Sequence, residues 1–458
     1  MTNTQNTFSP QISFQPMNPA TEHGHREQPN QFGSSQRSGE FFPPRPQSLE
    51  QAALEEVDVF RLILRFLYLR GVQSGRAIAN QLNLSFSIVE PLLTSLRNQL
   101  LIGYRGASIG GDYAYELSPK GIEQARESMK QCTFCGSAPV SLNDYCNSIR
   151  LQSVRNQKVS FDNVKAALSD LSMDTTVVSQ VGQALNSGST LFLYGPPGNG
   201  KSSIAKRLIR AMSPYIWIPR SLIIGSEIVR IFDPMVHEHC PLPKHEGFVN
   251  EQENDDRWVR IRRPIVIVGG ELSLKHLEAT CNPVTGVIEA PLHMKSNCGC
   301  LVIDDFGRQR ISPTDLLNRW IVPMESGRDY LTLQSGRQVE IPFDQFLVFA
   351  SNLTPKNIVD EAFLRRIPYK VLIKDPTPKQ FIELFINRAK IIGFNDANEE
   401  WAKYLIHGAY DDKNRNMRFS HVDDILTQIR DFCDFHNKPL TINQATLDLA
   451  IHNYFSQS

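Results

Sequence analysis

The sequence predicts a multidomain α/β protein: a parallel sheet carrying a phosphate-binding loop, a small helix-rich module before it, and helices alone behind it. Three observations predict this. Residues 195–202 read GPPGNGKS between the apolar run 191–194 (LFLY) and a segment with Ile204, Leu208, Ile209 and Met212 at helical spacing. Two more apolar runs end in polar tips, residues 300–303 in Asp304 and Asp305, and residues 346–350 in Ser351 and Asn352. From about residue 374 onward the pattern is helical throughout.

The glycine-punctuated string has the spacing G-x-x-x-x-G-K-[ST] of a phosphate-binding loop. Glycine permits positive φ and a close backbone approach, so the loop N–H groups can wrap a polyphosphate. Gly195, Pro196, Pro197, Gly198, Asn199, Gly200, Lys201, Ser202 and Ser203 are the candidate nucleotide-binding residues. Lys201 is expected to reach the β- and γ-phosphates, and the Ser202 hydroxyl to sit on Mg²⁺. Asp304 is the second candidate metal residue, holding Mg²⁺ through its waters. Asp305 is placed to polarise an attacking water, and Asn352 to orient it. Ligands of open α/β sheets bind outside the carboxyl ends of the strands, so all three tips should converge.

Composition bounds the rest. A chain of 458 residues has room for about two or three domains. Lys plus Arg and Asp plus Glu both number 48, so no net field points to nucleic acid or to an anionic membrane. No apolar stretch of about 18 residues occurs, so no spanning helix and no membrane partner are expected. The start, MTNTQNTFSP, lacks the charged and apolar regions of a secretory signal. Eight scattered cysteines read as reduced thiols, which suits the cytoplasm.

Residues 1–48 contain no Leu and no Val and are rich in Gln, Asn, Ser and Pro. A disordered N-terminal tail is expected, with Phe8, Phe14, Phe32, Phe41 and Phe42 as isolated aromatics. Residues 51–128 then read as a module of their own. Val59, Leu62, Ile63, Phe66 and Leu67 mark one helix face, and residues 75–82 form a second helix. Phe86, Val89, Leu92, Leu93, Leu96 and Leu100 mark a third, with Pro91 expected in its first turn. Strands over 101–105 and 113–117 flank a glycine turn, and a last helix follows Ser118 and Pro119. Three helices and a hairpin resemble a winged-helix domain. Its charge is balanced, eight basic against eight acidic residues, and the third helix offers Arg97 opposed by Glu90. Phosphate neutralisation carries most non-specific DNA affinity, so protein docking is favoured over DNA.

Residues 129–150 are expected as a linker. Cys132 and Cys135 form a single C-x-x-C with Cys146 nearby, short of the four ligands of a structural zinc site. His237, His239, Cys240 and His245 cluster in a Pro-rich stretch without ligand spacing and are read as a surface loop.

The ordered motifs resemble an AAA+ ATPase. GPPGNGKS is similar to the Walker A motif, LVIDD to Walker B, and FASN, ending in Asn352, to sensor 1. The segment 360–366 (DEAFLRR) resembles the one that carries the arginine finger, which would be Arg365 or Arg366. Arg418, ahead of Val422, Ile425, Leu426 and Ile429, looks like sensor 2. The resemblance covers roughly residues 160–458. It implies an α/β nucleotide-binding core over 151–373 and a C-terminal α-helical lid over 374–458. In the lid, Ser420 is expected to cap a helix running to Phe435, and Thr441 and Gln444 to form a capping box. ATP and Mg²⁺ are the cofactors implied.

A hairpin expected over 329–341 resembles the insert of the MoxR-like and Clp-type branch. The segment 203–299 is longer than the family norm. It holds an acidic loop (Glu251, Glu253, Asp255, Asp256), then the basic strand 257–263 and the apolar run 265–268, read together as an inserted hairpin. Residues 225–232 stand where a pore loop would follow the second strand, with Phe232 as its candidate aromatic, but core packing is the favoured reading. Asp305 replaces the Glu usual in the family and is one methylene shorter, which implies slow hydrolysis. The resemblance implies a homo-oligomeric ring, with a hexamer favoured. It would remodel a protein client or adaptor recruited through the winged helix. A DNA-directed ATPase and an ATP-gated scaffold with little turnover are the alternatives.

Overall fold

Phe41 and Phe42 lie edge-on against Trp258 and Trp217, at 5.5 and 5.7 Å between ring centroids. They open a computed structural model that describes residues 41–107, 111–242, 254–358, 361–411, 413 and 415–455. Residues 41–48, expected within the tail, belong to the described chain, and the Pro43 carbonyl accepts the Asp255 N–H at 3.0 Å. The two phenyl rings find an apolar wall far along the chain, which no local pattern announces. Phe8, Phe14, Phe32, His245, Glu251, Glu253 and Asp360 lie outside the described residues.

The helix faces of the first module are as spaced except at Leu100, which follows the third helix with φ 60° and is 72% exposed. α1 (Glu56–Arg70) buries Val59, Leu62, Ile63, Phe66 and Leu67, with Glu56 and Asp58 at its positive end and Arg70 at its negative end. β1 (Gln73–Ser74) leads into α2 (Gly75–Leu82), capped by the Ser74 hydroxyl. In α3 (Phe86–Asn98) Pro91 stands in the second turn, not the first. An interior proline costs ~3 kcal/mol. Burial of Ile88, Val89, Leu92, Leu93 and Leu96 outweighs it, at roughly 1.5–3 kcal/mol each. β2 (Ile102–Ala107) and β3 (Tyr113–Leu117) pair antiparallel, and the two-residue β1 adds a third strand that is too short for a periodic signal. α4 (Pro119–Gln131) follows its Ser118 cap.

Residues 129–150 are not a linker. β4 (Val140–Ser141) joins a sheet, and α5 (Leu142–Gln152) buries Tyr145 and Ile149. The Ala138 N–H bonds to Leu82 O at 2.8 Å, and the Thr133 N–H to Thr285 O at 2.7 Å. These partners are remote in sequence, so the segment reads as irregular until the chain is folded. All eight cysteines are free thiols.

α6 (Phe161–Ala167) and α7 (Thr175–Ser187) precede β5 (Leu191–Tyr194), the phosphate loop and α8 (Lys201–Leu208). Then come β6 (Tyr215–Pro219), β7 (Ser221–Ile224), β8 (Glu227–Arg230), β9 (Trp258–Arg262) and β10 (Ile265–Val268). β11 (Thr280–Cys281), β12 (Ile288–Glu289), α9 (Leu292–Lys295) and β13 (Cys300–Ile303) follow. After them stand α10 (Pro313–Ser326), β14 (Arg328–Thr332), β15 (Gln338–Pro342), β16 (Phe346–Ser351), α11 (Glu361–Leu364) and β17 (Tyr369–Leu372). One five-stranded sheet, in the order β10-β13-β16-β5-β17, is parallel throughout. Alternation divides its side chains. Leu191, Leu193, Val302 and Val348 pack under α7 and α8, while Phe192, Leu301, Ile303 and Phe349 pack under α10. Burial on both faces explains why the central strands β13, β16 and β5 are apolar runs, whereas the edge strand β17 carries the exposed Lys370.

A second five-stranded sheet, β11-β12-β8-β7-β4, and the pair β6-β9 share another core. Here the expected hairpin fails. β9 pairs antiparallel with β6, Tyr215 opposite Arg262, whereas the run 265–268 enters the parallel sheet beside β13. Ile-Val-Ile-Val is apolar on both faces and fits only a doubly covered strand. The basic strand is also less available than expected. Arg257 and Arg263 are each 3% exposed. Arg257 pairs with Asp255 at 2.8 Å and donates to Ala52 O and Pro139 O, riveting the first module to the second sheet.

The second strand of the parallel sheet is thus β10, so residues 225–232 precede it and do not follow it as a pore loop. Phe232 is half-buried and stacks on His237. His237 is itself buried, not a surface-loop residue: its Nδ1 accepts the Asp233 N–H at 3.0 Å, and Nε2 lies 2.8 Å from Lys295 O. The β14-β15 hairpin forms as expected, but its tip is tied down, Glu227 accepting the N–H groups of Gln334 and Ser335 at 2.9 and 3.1 Å.

The C-terminal part is helical. α12 (Pro378–Ile392) carries a Thr377/Gln380 capping box, and α13 (Glu399–Ile406) runs on into a π-turn, His407–Asp411. α14 (Phe419–Phe435) has Arg418 at its N-cap, so Ser420 lies inside the first turn and does not cap it. α15 (Gln444–Phe455) is capped by Asn443 and Thr446, which exchange bonds at 3.0 Å, instead of by Thr441 and Gln444. Among the described residues no helix is long and apolar enough to cross a membrane, and no three His, Cys, Asp or Glu side chains gather into a metal-holding group.

Candidate functional site

β5 delivers the glycine loop to the carboxyl edge of the parallel sheet. Gly195 has φ 141° and lies so close to β17 that a Cβ would stand 2.2 Å from Ile373 O. Gly198 and Gly200 also take positive φ, 81° and 76°, and turn the chain into α8. Lys201 begins that helix and is 7% exposed. Its Nζ donates to Gly195 O at 3.0 Å, Pro196 O at 2.9 Å and Asn352 Oδ1 at 2.7 Å. Burial lowers the Lys201 pKa, and the nearby Asp304 and Asp305 carboxylates oppose that shift.

The three polar tips meet. Ser202 Oγ donates to Asp304 Oδ2 at 2.6 Å. Asn352 Nδ2 donates to Asp305 Oδ1 at 3.1 Å, so one amide touches both Lys201 and Asp305. Asp305 has a left-handed backbone, φ 48°, and its N–H bonds to Asp304 Oδ1 at 3.0 Å. The peptide at Asp304 is fixed by Gln309, whose Nε2 donates to Asp304 O at 2.7 Å. Ser202 Oγ and the Asp304 carboxylate are hard oxygen donors of the kind that could hold Mg²⁺.

These residues line a cleft of about 950 Å³ between the parallel sheet and the C-terminal helices. The motifs did not reveal its other walls. Leu171, Met173 and Val177 line one side, and Leu384, Arg388 and Asp423 the other. Arg388 pairs with Asp423 at 2.5 Å. These side chains carry no spacing signal, because they come from the α6–α7 connection and from separate helices that meet only in the fold.

The arginines singled out from sequence fall in different places. Arg365 is exposed, Arg366 pairs with Glu325 at 2.6 Å, and neither lines this chain's cleft. Arg418 lies beside the phosphate loop and pairs with Asp375.

The family described as "Domain of unknown function (DUF8689)" matches residues 377–453, the C-terminal helices. No curated protein matches the chain. Among solved structures, three variants of RuvB from Thermotoga maritima are similar to it. One has TM-score 0.34 and 13% identity, covering 67% of this chain and 74% of that one. A second has TM-score 0.33 and 14% identity over 66% and 71%. The third has TM-score 0.32 and 14% identity over 66% and 73%. Likeness at that level decides nothing about what the chain binds.

Proposed function

We propose that this chain is a Mg²⁺-dependent ATPase of the AAA+ class that works as a homo-oligomeric ring. One observation carries the reading: Lys201, Ser202, Asp304, Asp305 and Asn352 are joined by hydrogen bonds at the carboxyl edge of three adjacent parallel strands. In this reading the loop N–H groups and Lys201 hold the phosphates, and Ser202 and Asp304 hold Mg²⁺. Asp305 accepts the proton of the attacking water, and Asn352 fixes that carboxylate and the lysine relative to each other. The bond from γ-phosphorus to ADP breaks as the new bond to water forms. Mg²⁺ supplies charge neutralisation at the phosphate oxygens.

Of the two candidate fingers, Arg365 suits a neighbouring subunit's site better. It is exposed, whereas Arg366 is engaged by Glu325 of its own chain. A finger arginine in trans stabilises transition-state charge. Arg365→Ala should therefore lower ATP turnover while leaving nucleotide binding intact. Full turnover in both Arg365→Ala and Arg366→Ala would remove the shared-site reading.

A protein client or adaptor recruited by the winged-helix-like module is the favoured partner, since balanced charge over 51–128 argues against a duplex. Salt-dependent duplex binding by the full chain that Arg97→Ala weakens would favour the DNA-directed alternative instead. The MoxR-like and Clp-type branch rests on the hairpin alone, and the Glu227 anchor makes that hairpin a packed element, not a free projection. The short Asp305 in its left-handed turn supports a second reading, an ATP-gated scaffold with little turnover. Turnover at background with ATP-dependent assembly would select it.

A further inference from the structure

Asn199 joins three segments with one amide. It is 3% exposed. Its Nδ2 donates to Asp375 Oδ1 at 2.7 Å and to Lys374 O at 3.2 Å, and its Oδ1 accepts the Phe419 N–H at 3.4 Å. Next to it, Gly198 O accepts the Ser420 N–H at 2.9 Å. Contact there is close enough that a Cβ on Gly198 would stand 2.5 Å from Ser420 Oγ. Lys374 and Asp375 lie between the end of β17 and the start of α12, where the sheet hands over to the helices. Phe419 and Ser420 open α14. The same Asp375 carboxylate oxygen pairs with Arg418, the N-cap residue of that helix.

We infer that Asn199 and Asp375 form a latch that holds the C-terminal helices against the phosphate loop and keeps the Arg418 guanidinium engaged until a terminal phosphate competes for it. The nucleotide part rests on the ATPase reading; the latch itself does not. A ligand moves such an equilibrium only through differential interaction with its two states. A triphosphate has a terminal phosphate to offer Arg418 and a diphosphate does not, so only the triphosphate has to displace the Asp375 carboxylate from it. The latch therefore sets preference between ATP and ADP, not overall affinity. Asn199 and Asp375 act through Arg418 and the helix start, as positioning residues.

Two measurements on the full chain test this. Without nucleotide, Asn199→Ala should speed hydrogen exchange at the Phe419 and Ser420 amides by about fivefold to tenfold, the value of one net hydrogen bond. Unchanged exchange there overturns the latch, whether or not the protein binds ATP. With fluorescent ATP and ADP analogues, Asp375→Asn should raise the ATP-over-ADP affinity ratio by about fivefold, since it removes the competing charge and keeps an acceptor for Asn199. Adding Arg418→Ala should cancel that gain, which a merely structural role for Asp375 would not do. An unchanged ratio in Asp375→Asn overturns the competition for Arg418. Failure of the unaltered chain to bind either analogue overturns the ATPase reading instead, and the exchange measurement still decides the latch.

Discussion

The two five-stranded sheets are built on opposite principles. In the parallel sheet the strands are 4–6 residues long and, β17 with its Lys370 apart, mainly apolar, and β5, β13 and β16 end at or next to the cleft residues Tyr194, Asp304 and Asn352. In the second sheet the strands are 2–4 residues long and come from widely separated stretches of chain. The first brings the cleft residues together on strands whose polar tips could be read from the sequence. The second is held by single anchoring side chains, Arg257, Glu227 and His237, that join remote segments. One sheet is specified by pattern, the other by a few buried polar partners.

Removing an anchor is the strongest test of that contrast. Arg257→Ala leaves the Asp255 carboxylate buried without its partner, which should cost about 3–5 kcal/mol of stability by urea unfolding. Fluorescent ATP affinity should stay within about threefold, because breaking an anchor of the second sheet leaves the loop edge intact. If affinity falls in step with stability, the sheets act as one unit and the contrast is wrong. Exchanging Arg257 and Asp255 together for Met and Leu should be far milder, since no orphaned charge remains.

Lys201→Ala is the complementary case. On the ATPase reading it removes charge-assisted bonds to phosphate worth about 3 kcal/mol, so MgATP binding should weaken about 100-fold. Apo stability should hold or rise, as a buried cation is removed. A large loss of apo stability would mean that the loop is structural as well as functional.

The third test uses pH. Burial lowers the pKa of His237 and His293, both within the second core's surroundings. A histidine held neutral in the fold binds its proton more readily when unfolded. Stability is therefore complete above about pH 6.5 and declines as pH falls through the lowered folded values. Asp329 behaves alike at lower pH. Burial raises its pKa, but His293 at 3.1 Å and Arg319 at 2.7 and 2.9 Å outweigh burial and pull it to about 2. Its contribution, on the order of 2 kcal/mol, is present above about pH 3.8 and lost toward pH 2. His293→Gln should flatten the unfolding free energy below about pH 6.5. An unchanged slope would mean that His293 titrates normally.

The smallest effect is at the hairpin tip. Glu227→Gln keeps one of the two acceptor oxygens and replaces the other with an NH₂ donor, so it should cost about 1 kcal/mol, read as faster exchange of the Gln334 and Ser335 amides. Equal exchange would show that Leu331, Leu333 and Ile341 alone seat the hairpin.

Much of the site was legible because its signals are local. A glycine loop needs its glycines in sequence, and an apolar strand carries its polar tip with it, so Lys201, Ser202, Asp304, Asp305 and Asn352 could be named together. The helix faces of α1, α3 and α14 were legible for the same reason, since period 3.6 is a property of neighbouring residues. Cleft walls such as Met173, Leu384 and Asp423 were not, because they share no spacing with one another.

By itself the sequence determined the phosphate loop, the polar strand tips, the helix-only C-terminal part and the hairpin before β16. Only the tertiary structure decided that residues 265–268 belong to the parallel sheet and not to a hairpin with 258–262. It alone showed that 129–150 is packed, that Phe41 and Phe42 close onto Trp258 and Trp217, and that Arg418 is engaged by Asp375. The physical reason is range. Periodicity and turn chemistry act over a few residues. Strand partner, register and ion pairing are settled by side chains that meet only after distant segments have been brought together.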